Sequence, residues 1–363
     1  MLKKRLKGFL VTATAALLLL SVSTSAGAAS DKPAIELNGT KITVAASIQQ
    51  GKVYLPLRAV TEGLGYTVQW AENDTVTLTK AEDTIIIDLF TNILSVNNHS
   101  FYFSGDYLGS SAAGWLRLGE RIYLREDFFA ENLDLNVVYN GQKVVLQDNK
   151  EKAVTIQTVK EAAEKDGLIL TLQYPQLTGL ADAAVQDALN ALFAEAAAQA
   201  KAEGEKNAAE LAQLKAEGSP TSPNKCETYF DYRLKYNQDN LLSVVLLNYQ
   251  YAGGAHGSTV QSSYTFDLKT GRALALKDLF KEGADYTALI SGLIREEIDR
   301  RTAADLLMEL EQGGFKAIKE EQDYYLSARG PVIYFQQYEY FPYVAGIQEF
   351  LIEYAQIKNM LKA

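Results

Sequence analysis

The chain has 363 residues, 47% of them apolar and 22% charged, with a formal net charge of −10, so it is long enough for two or three domains that each bury a core. The acidic balance argues against a nucleic-acid binder, whose affinity rests on clustered Lys and Arg neutralising phosphates, and it favours a basic partner. A lone cysteine, Cys226, excludes an internal disulfide.

Lys3, Lys4, Arg5 and Lys7 precede a short apolar run from Phe9 to Leu20 and then Ala26-Gly27-Ala28. This is the pattern of a secretory signal over residues 1–28, cut after Ala28. The run falls short of the ~20 residues that a spanning helix needs, so membrane contact is expected only if the signal stays uncleaved. Cleavage removes four positive charges and no acids, taking the net charge from −10 to −14. The implied address is secreted, in the extracellular cell envelope. No cysteine stands at the cleavage point to carry a lipid, and Cys226 reads as a small hydrophobe within a strand.

Residues 34–148 repeat themselves. Lys52-Val53-Tyr54-Leu55, a helical run and Val68-Gln69-Trp70 return as Arg121-Ile122-Tyr123-Leu124, a helical run and Val137-Val138-Tyr139. Val53 and Leu55 alternate as in a strand, whereas Leu57, Val60 and Leu64 recur at helical spacing, as do Phe128, Phe129 and Leu133. Gly63 and Gly65 end the first helix. Asn38-Gly39 and Asn97-Asn98 suit two-residue hairpin turns, with His99 at the second tip. The repeating unit is hairpin, helix, hairpin. Arg58 and Glu62 have the spacing of an intrahelical ion pair.

This half resembles the copper amine oxidase N-terminal-like domain of exported Gram-positive proteins, through Leu37-Asn38-Gly39, Val53 to Val60, Glu62 to Tyr66 and Val68-Gln69-Trp70. The resemblance implies a peripheral stalk without the oxidase chemistry. A copper site of that family needs three histidines, and the chain holds two, His99 and His256. Neither metal nor other cofactor is expected.

From about residue 150 to 363 a second module is expected. Val154–Val159 and Leu168–Tyr174 read as strands, Ala181–Glu217 as an alanine-rich helix interrupted at Gly204 whose last turns are exposed, and Gly218 to Pro223 as a break. Tyr229–Tyr236, Leu241–Tyr249 and Ser262–Leu268 read as three antiparallel strands with short connections. Tyr286, Leu289, Ile290, Leu293, Ile294 and Ile298 form a helical stripe, and Thr302 caps a further helix carrying Leu306, Leu307 and Leu310. The chain closes on an aromatic strand region in which Arg329-Gly330 mark a hairpin turn. The fold class is α+β: a duplicated hairpin-helix-hairpin module, then an antiparallel sheet packed with helices.

Between two strands lies Tyr251-Ala252-Gly253-Gly254-Ala255-His256-Gly257, whose glycines permit positive φ and close approach. With Thr265-Phe266-Asp267-Leu268, Leu276-Lys277-Asp278-Leu279-Phe280 and Val332 through Gly346, it resembles the extracellular domain of anti-sigma-V factors, which are bacterial lysozyme receptors, and the matching region of some peptidoglycan deacetylases. Neither the segment that holds a sigma factor nor a deacetylase catalytic domain is expected.

A zinc site would need both histidines together. A Ser-His-Asp set could draw on His256 with Ser258 or Ser263 and Asp267, yet no nucleophile elbow supports it. The clustered acids Glu296, Glu297, Asp299, Glu309 and Glu311 read as a solvated helix face. No catalytic residue is nominated. The expected ligand-binding residues are Tyr251, Gly253, Gly254, His256, Tyr338, Tyr340 and Tyr343, because tyrosines offer apolar faces with polar tips. The expectation is a non-catalytic envelope protein whose first module docks to the cell surface. Its second module would bind a basic lysozyme-type protein or a cell-wall glycan. The alternative is a cell-wall hydrolase or deacetylase that uses His256.

Overall fold

The computed structural model describes residues 32–362 except 50–51, 72–73, 82, 92, 97–98, 103–113, 134, 149–152, 219–224, 304–306 and 312. The expected signal over residues 1–28 and the Asn97-Asn98 turn therefore lie outside the described residues. The fold is mixed helix and sheet. No described helix is long and apolar enough to cross a membrane.

In the first half, the strands that sequence comparison equates lie side by side. Lys52–Pro56 runs antiparallel to Arg121–Arg125, with Leu55 opposite Leu124. Each strand enters a seven-residue helix at once, Leu57–Gly63 and Glu126–Asn132. The outer neighbours are also matched, Ser47–Gln49 on one side and Trp115–Leu118 on the other. The first strand, Ala34–Leu37, pairs in parallel with the last, Lys143–Asp148, which ties the two ends of the module together. Leu55, Leu124, Val60 and Phe129 are fully buried between these layers. The Arg58–Glu62 ion pair forms at 3.1 Å. His99 opens the strand His99–Tyr102 opposite Val96.

The second half is built on five strands in spatial order Thr155–Lys165, Leu168–Thr178, Cys226–Gln238, Leu241–Tyr251 and Ser258–Asp267. This sheet is mixed, not antiparallel as expected. Leu168–Leu172 pairs in parallel with Cys226–Phe230, because a helical crossover intervenes between those strands instead of a short turn. The crossover is a single helix of 34 residues, Ala183–Ala216, started by the Asp182 carboxylate, which accepts from the N–H groups of Ala184 and Val185.

Gly204 does not interrupt that helix. It lies where the helix presses hardest on the sheet, and a Cβ there would overlap the Thr228 hydroxyl. The helix docks as far as buried Ala208 and Leu211, and from residue 212 its last turns are exposed, as expected. Phe193, Leu170, Phe230 and Leu242 fill the layer below, and Cys226 is fully buried among them.

A second core joins the helix Tyr286–Ala303, through Ile290, Ile294 and Ile298, to a three-stranded sheet of Tyr324–Ser327, Gly330–Phe335 and Gln348–Leu351. Each of those isoleucines, fully buried, contributes roughly 1.5–3 kcal/mol of transfer free energy. Tyr334 and Phe335 are both buried. The helix expected after Thr302 is absent from the described residues: Thr302 sits in the last turn of the preceding helix, and Leu307–Leu310 is irregular. Leu307 anchors that irregular run in the core, and Leu310 N–H donates to the Tyr340 carbonyl at 2.9 Å. Tertiary partners replace the helical ladder there.

Candidate functional site

The glycine segment connects the strands Leu241–Tyr251 and Ser258–Asp267. Gly253 takes φ +91° directly over Leu211 of the long helix, and the Tyr251 hydroxyl closes the turn by donating to the Gly254 carbonyl at 3.0 Å. Gly257 is buried against the ring of Tyr249, which a Cβ would strike. Both positions demand glycine, the first for backbone conformation and the second for space.

His256 emerges exposed from this frame. Its ring stacks on Tyr343 with centroids 4.0 Å apart and planes 24° from parallel, and its Nδ1 lies 2.9 Å from the Gly257 carbonyl. Tyr343 donates its hydroxyl to that same carbonyl at 2.8 Å, which locks the stack. Tyr338 continues the row, 5.6 Å from Tyr343. The result is a ledge of three rings, His256, Tyr343 and Tyr338.

Tyr338 is 57% exposed and has φ +65°. A bulky residue in the left-handed region costs of order 1–3 kcal/mol and persists only where its surroundings impose it. Here they do. Glu339 accepts from Gln336 N–H at 3.0 Å, its own N–H donates to the Gln336 carbonyl, and it is tied to Lys319. Gln336 and Gln337 turn their side-chain carbonyls onto the N–H groups of Gln261 and Thr259, each at 3.1 Å. These amides cover the open edge of the last strand and fix the tyrosine segment beside the glycine turn.

The structure therefore brings Tyr251, Gly253, Gly254, His256, Tyr338 and Tyr343 together. It sends Tyr340 elsewhere, edge-on to Phe315 and Phe335 against the second core. Sequence reasoning missed Gln336, Gln337, Tyr249 and Leu211, the residues that hold the ledge in place. Nothing in their local pattern marks them: Gln336, Gln337 and Leu211 act on segments distant in sequence, and Tyr249 acts across its own hairpin.

Catalytic groups do not converge on His256. Ser263 donates to the Tyr324 carbonyl at 2.6 Å, and Asp267 accepts from Lys269 N–H at 2.8 Å. Asp267 stands at the far end of its strand, roughly 30 Å from Ser258 at ~3.3 Å per residue. Among the described residues no group of three His, Cys, Asp or Glu could hold a metal. Glu297 and Asp299 of the helix serve in ion pairs, whereas Glu309, expected on a helix face, lies in the irregular run. Glu297 accepts from Arg300 and Arg301; despite partial burial, those two guanidiniums hold its carboxyl down at about 2. Glu309 pairs with Arg295 at 2.7 Å.

One polar cluster went unforeseen. Asp231, fully buried, pairs with Arg233 and lies within hydrogen-bond reach of the Tyr229 hydroxyl at 3.3 Å and Gln173 Nε2 at 3.4 Å. Burial, reinforced by the Asp231 charge, pushes the Tyr229 hydroxyl well above its usual range. Tyr229 stands opposite Tyr249 in register, so this satisfied network underlies the strand that feeds the glycine turn.

Comparison with known proteins agrees with this architecture. Residues 36–147 match the family model of the copper amine oxidase N-terminal domain, residues 161–259 that of deacetylase PdaC, and residues 277–355 that of a protein of unknown function, DUF3298. Peptidoglycan-N-acetylmuramic acid deacetylase PdaC of Bacillus subtilis is 28% identical over 144 residues, which span 38% of this chain but only 29% of that enzyme. The anti-sigma-V factor RsiV of Bacillus subtilis is 31% identical over 221 residues, 58% of this chain and 70% of the factor. A crystal structure of a DUF3298 family member from Bacteroides fragilis aligns with 58% of this chain and 95% of its own, at 22% identity and a TM-score of 0.47. With a copper amine oxidase N-terminal domain preceding the shared region, the chain belongs to the family of the anti-sigma-V factor RsiV.

Proposed function

We propose that this is a non-catalytic, secreted cell-envelope protein whose second module binds a basic lysozyme-type protein through the His256–Tyr343–Tyr338 ledge, while the first module docks to the cell surface. The observation that carries the reading is the exposed Tyr338, held in a strained backbone beside a stacked His–Tyr pair by contacts that leave its ring free of the core. Rigid aromatic side chains with polar tips are what protein interfaces concentrate at their centres. The acidic balance of the chain, −10 before signal removal, attracts a cationic partner and speeds its encounter. Family membership supports an envelope role, and the likeness to the peptidoglycan deacetylase PdaC makes cell-wall glycan the second ligand class.

Isothermal titration of the purified chain against a lysozyme and against soluble muropeptides tests this. Heat with lysozyme that is lost in Tyr343→Ala supports the reading, and heat with muropeptides alone transfers the site to glycan. No heat with either refutes ligand binding at the ledge. The competing reading is a cell-wall hydrolase or deacetylase using His256. It requires acetate, sugar or peptide to be released from purified cell wall and that release to vanish in His256→Ala.

A further inference from the structure

The strand Thr155–Lys165 is the outermost of the five-stranded sheet. It pairs along its whole length with Leu168–Thr178 on one side, and among the described residues no strand pairs with the other. The two strands meet at Asp166-Gly167, with φ +51° and +82°, the two-residue type I′ turn. In such a turn the Lys165 carbonyl accepts from Leu168 N–H, so Lys165 bonds inward. Because inward and outward bonding alternate along an antiparallel strand, Glu161 and Ala163 also bond inward, and Lys160, Ala162 and Glu164 turn their N–H and C=O groups outward. Residues 160–167 are all exposed. An open edge of this kind is a template for another strand.

The side chains along this edge read Lys160-Glu161-Ala162-Ala163-Glu164-Lys165, the same forwards and backwards in charge. Suppose a second copy lies antiparallel across a twofold axis at Ala163. Glu161 of each copy then stands opposite Lys165 of the other. The outward-bonding Ala162 and Glu164 face each other across the axis and exchange their backbone hydrogen bonds. A shift of the axis to Glu164 sets Glu164 against Glu164, and a shift to Lys165 sets Lys165 against Lys165 and Glu164 against Asp166, all repulsive. A shift to Ala162 retains a Lys160–Glu164 match but places Val159 against Lys165. Charge on an edge strand ordinarily blocks pairing. Here its order favours the register about Ala163 over those centred on Glu164 and Lys165.

We infer that the outer edge of Thr155–Lys165 is a self-association surface, on which a second copy of this chain continues the sheet antiparallel about Ala163. The interface is isologous, as a twofold requires. It is compatible with the charges already placed there: Glu161 is paired at 2.5 Å with Lys201 of the long helix and Glu164 with Lys225, exposed pairs that a carboxylate can share with a further cation. The edge lies at the turn end of the hairpin. The Arg329–Glu126 contact that joins the two modules involves neither this strand nor its neighbour.

The test is sedimentation equilibrium on the full chain at low salt over rising concentration. The mass is expected to rise from 40.0 kDa towards twice that value. Lys165→Glu replaces both symmetric attractions by repulsions and should weaken dimerisation about tenfold or more, whereas Glu161→Lys combined with Lys165→Glu recreates the pairs with signs exchanged and should restore it. Ala163→Cys places two thiols at the axis in a closely spaced pair, so mild oxidation should give a covalent dimer. The wild-type chain, whose one cysteine is buried, should give none. Circular dichroism confirms that each variant is folded. A mass of 40.0 kDa at every concentration, a dimer indifferent to Lys165→Glu, or a folded Ala163→Cys chain that does not cross-link overturns the proposal.

Discussion

Arg329, in the hairpin of the second module, donates to Glu126 at the start of a first-module helix across 2.7 Å and also pairs with Glu353. One guanidinium thus serves two carboxylates. Burial disfavours the Glu126 carboxylate, Arg329 and Arg125 favour it, and Asp127 and Glu353 oppose it again; burial prevails and the carboxyl rises from 4.5 to about 7. In this fold a partly buried carboxyl, paired with Arg329, takes up a proton near neutrality.

The sign follows. In the unfolded chain Glu126 titrates near 4.5, so below that pH it is protonated in both states and costs nothing. As pH rises from 4.5 to about 7 the folded state keeps a proton that the unfolded chain has lost, and stability falls by about 3 kcal/mol between the two values. Glu126→Gln should match the wild type at pH 4.5 and exceed it at pH 8. Urea unfolding midpoints across that range measure the difference, and equal pH slopes for the two proteins would refute the assignment.

Tyr338→Gly separates stability from binding. Glycine takes φ +65° without strain, so the variant should lose little or none of the wild-type stability, or gain up to about 1 kcal/mol, while losing the outer ring of the ledge. A thermal melt close to or above that of the wild type, with a weakened lysozyme titration on the same sample, is expected. Retained affinity would remove Tyr338 from the site.

Gly204→Ala ordinarily stabilises a helix interior by about 1 kcal/mol. Here the added Cβ meets Thr228, and overpacking of this kind costs typically 1–3 kcal/mol. Thr228→Ala removes the obstruction at the expense of the Thr228–Gln250 hydrogen bond, 2.8 Å long. In that background Gly204→Ala should cost little, and a double-mutant cycle in urea should show strong positive coupling.

Cys226 is fully buried in a paired strand, and burial raises its thiol above the usual range. The native chain is therefore expected to resist thiol reagents and to react with one equivalent after denaturation. Labelling at native pH without unfolding would show that the Cys226–Phe230 pairing opens readily.

What the sequence determined alone is what local pattern and composition carry. The Arg58–Glu62 pair and the strand alternation around the glycine turn follow from periodicities that neighbouring residues impose on one another, and the burial of Cys226 follows from its residue type. The tertiary structure decided the rest. Gly204 reads as a break until Thr228 is seen beneath it, because only contact with the sheet distinguishes a glycine that ends a helix from one that lets it approach. Tyr338, Tyr340 and Tyr343 share one short aromatic run, yet Tyr340 packs on Phe315 while the other two reach the glycine turn. Their assignment depends on a strained backbone at Tyr338 and on two glutamine side chains that bond a strand some 75 residues away. Long-range pairing of this kind leaves no local period to read.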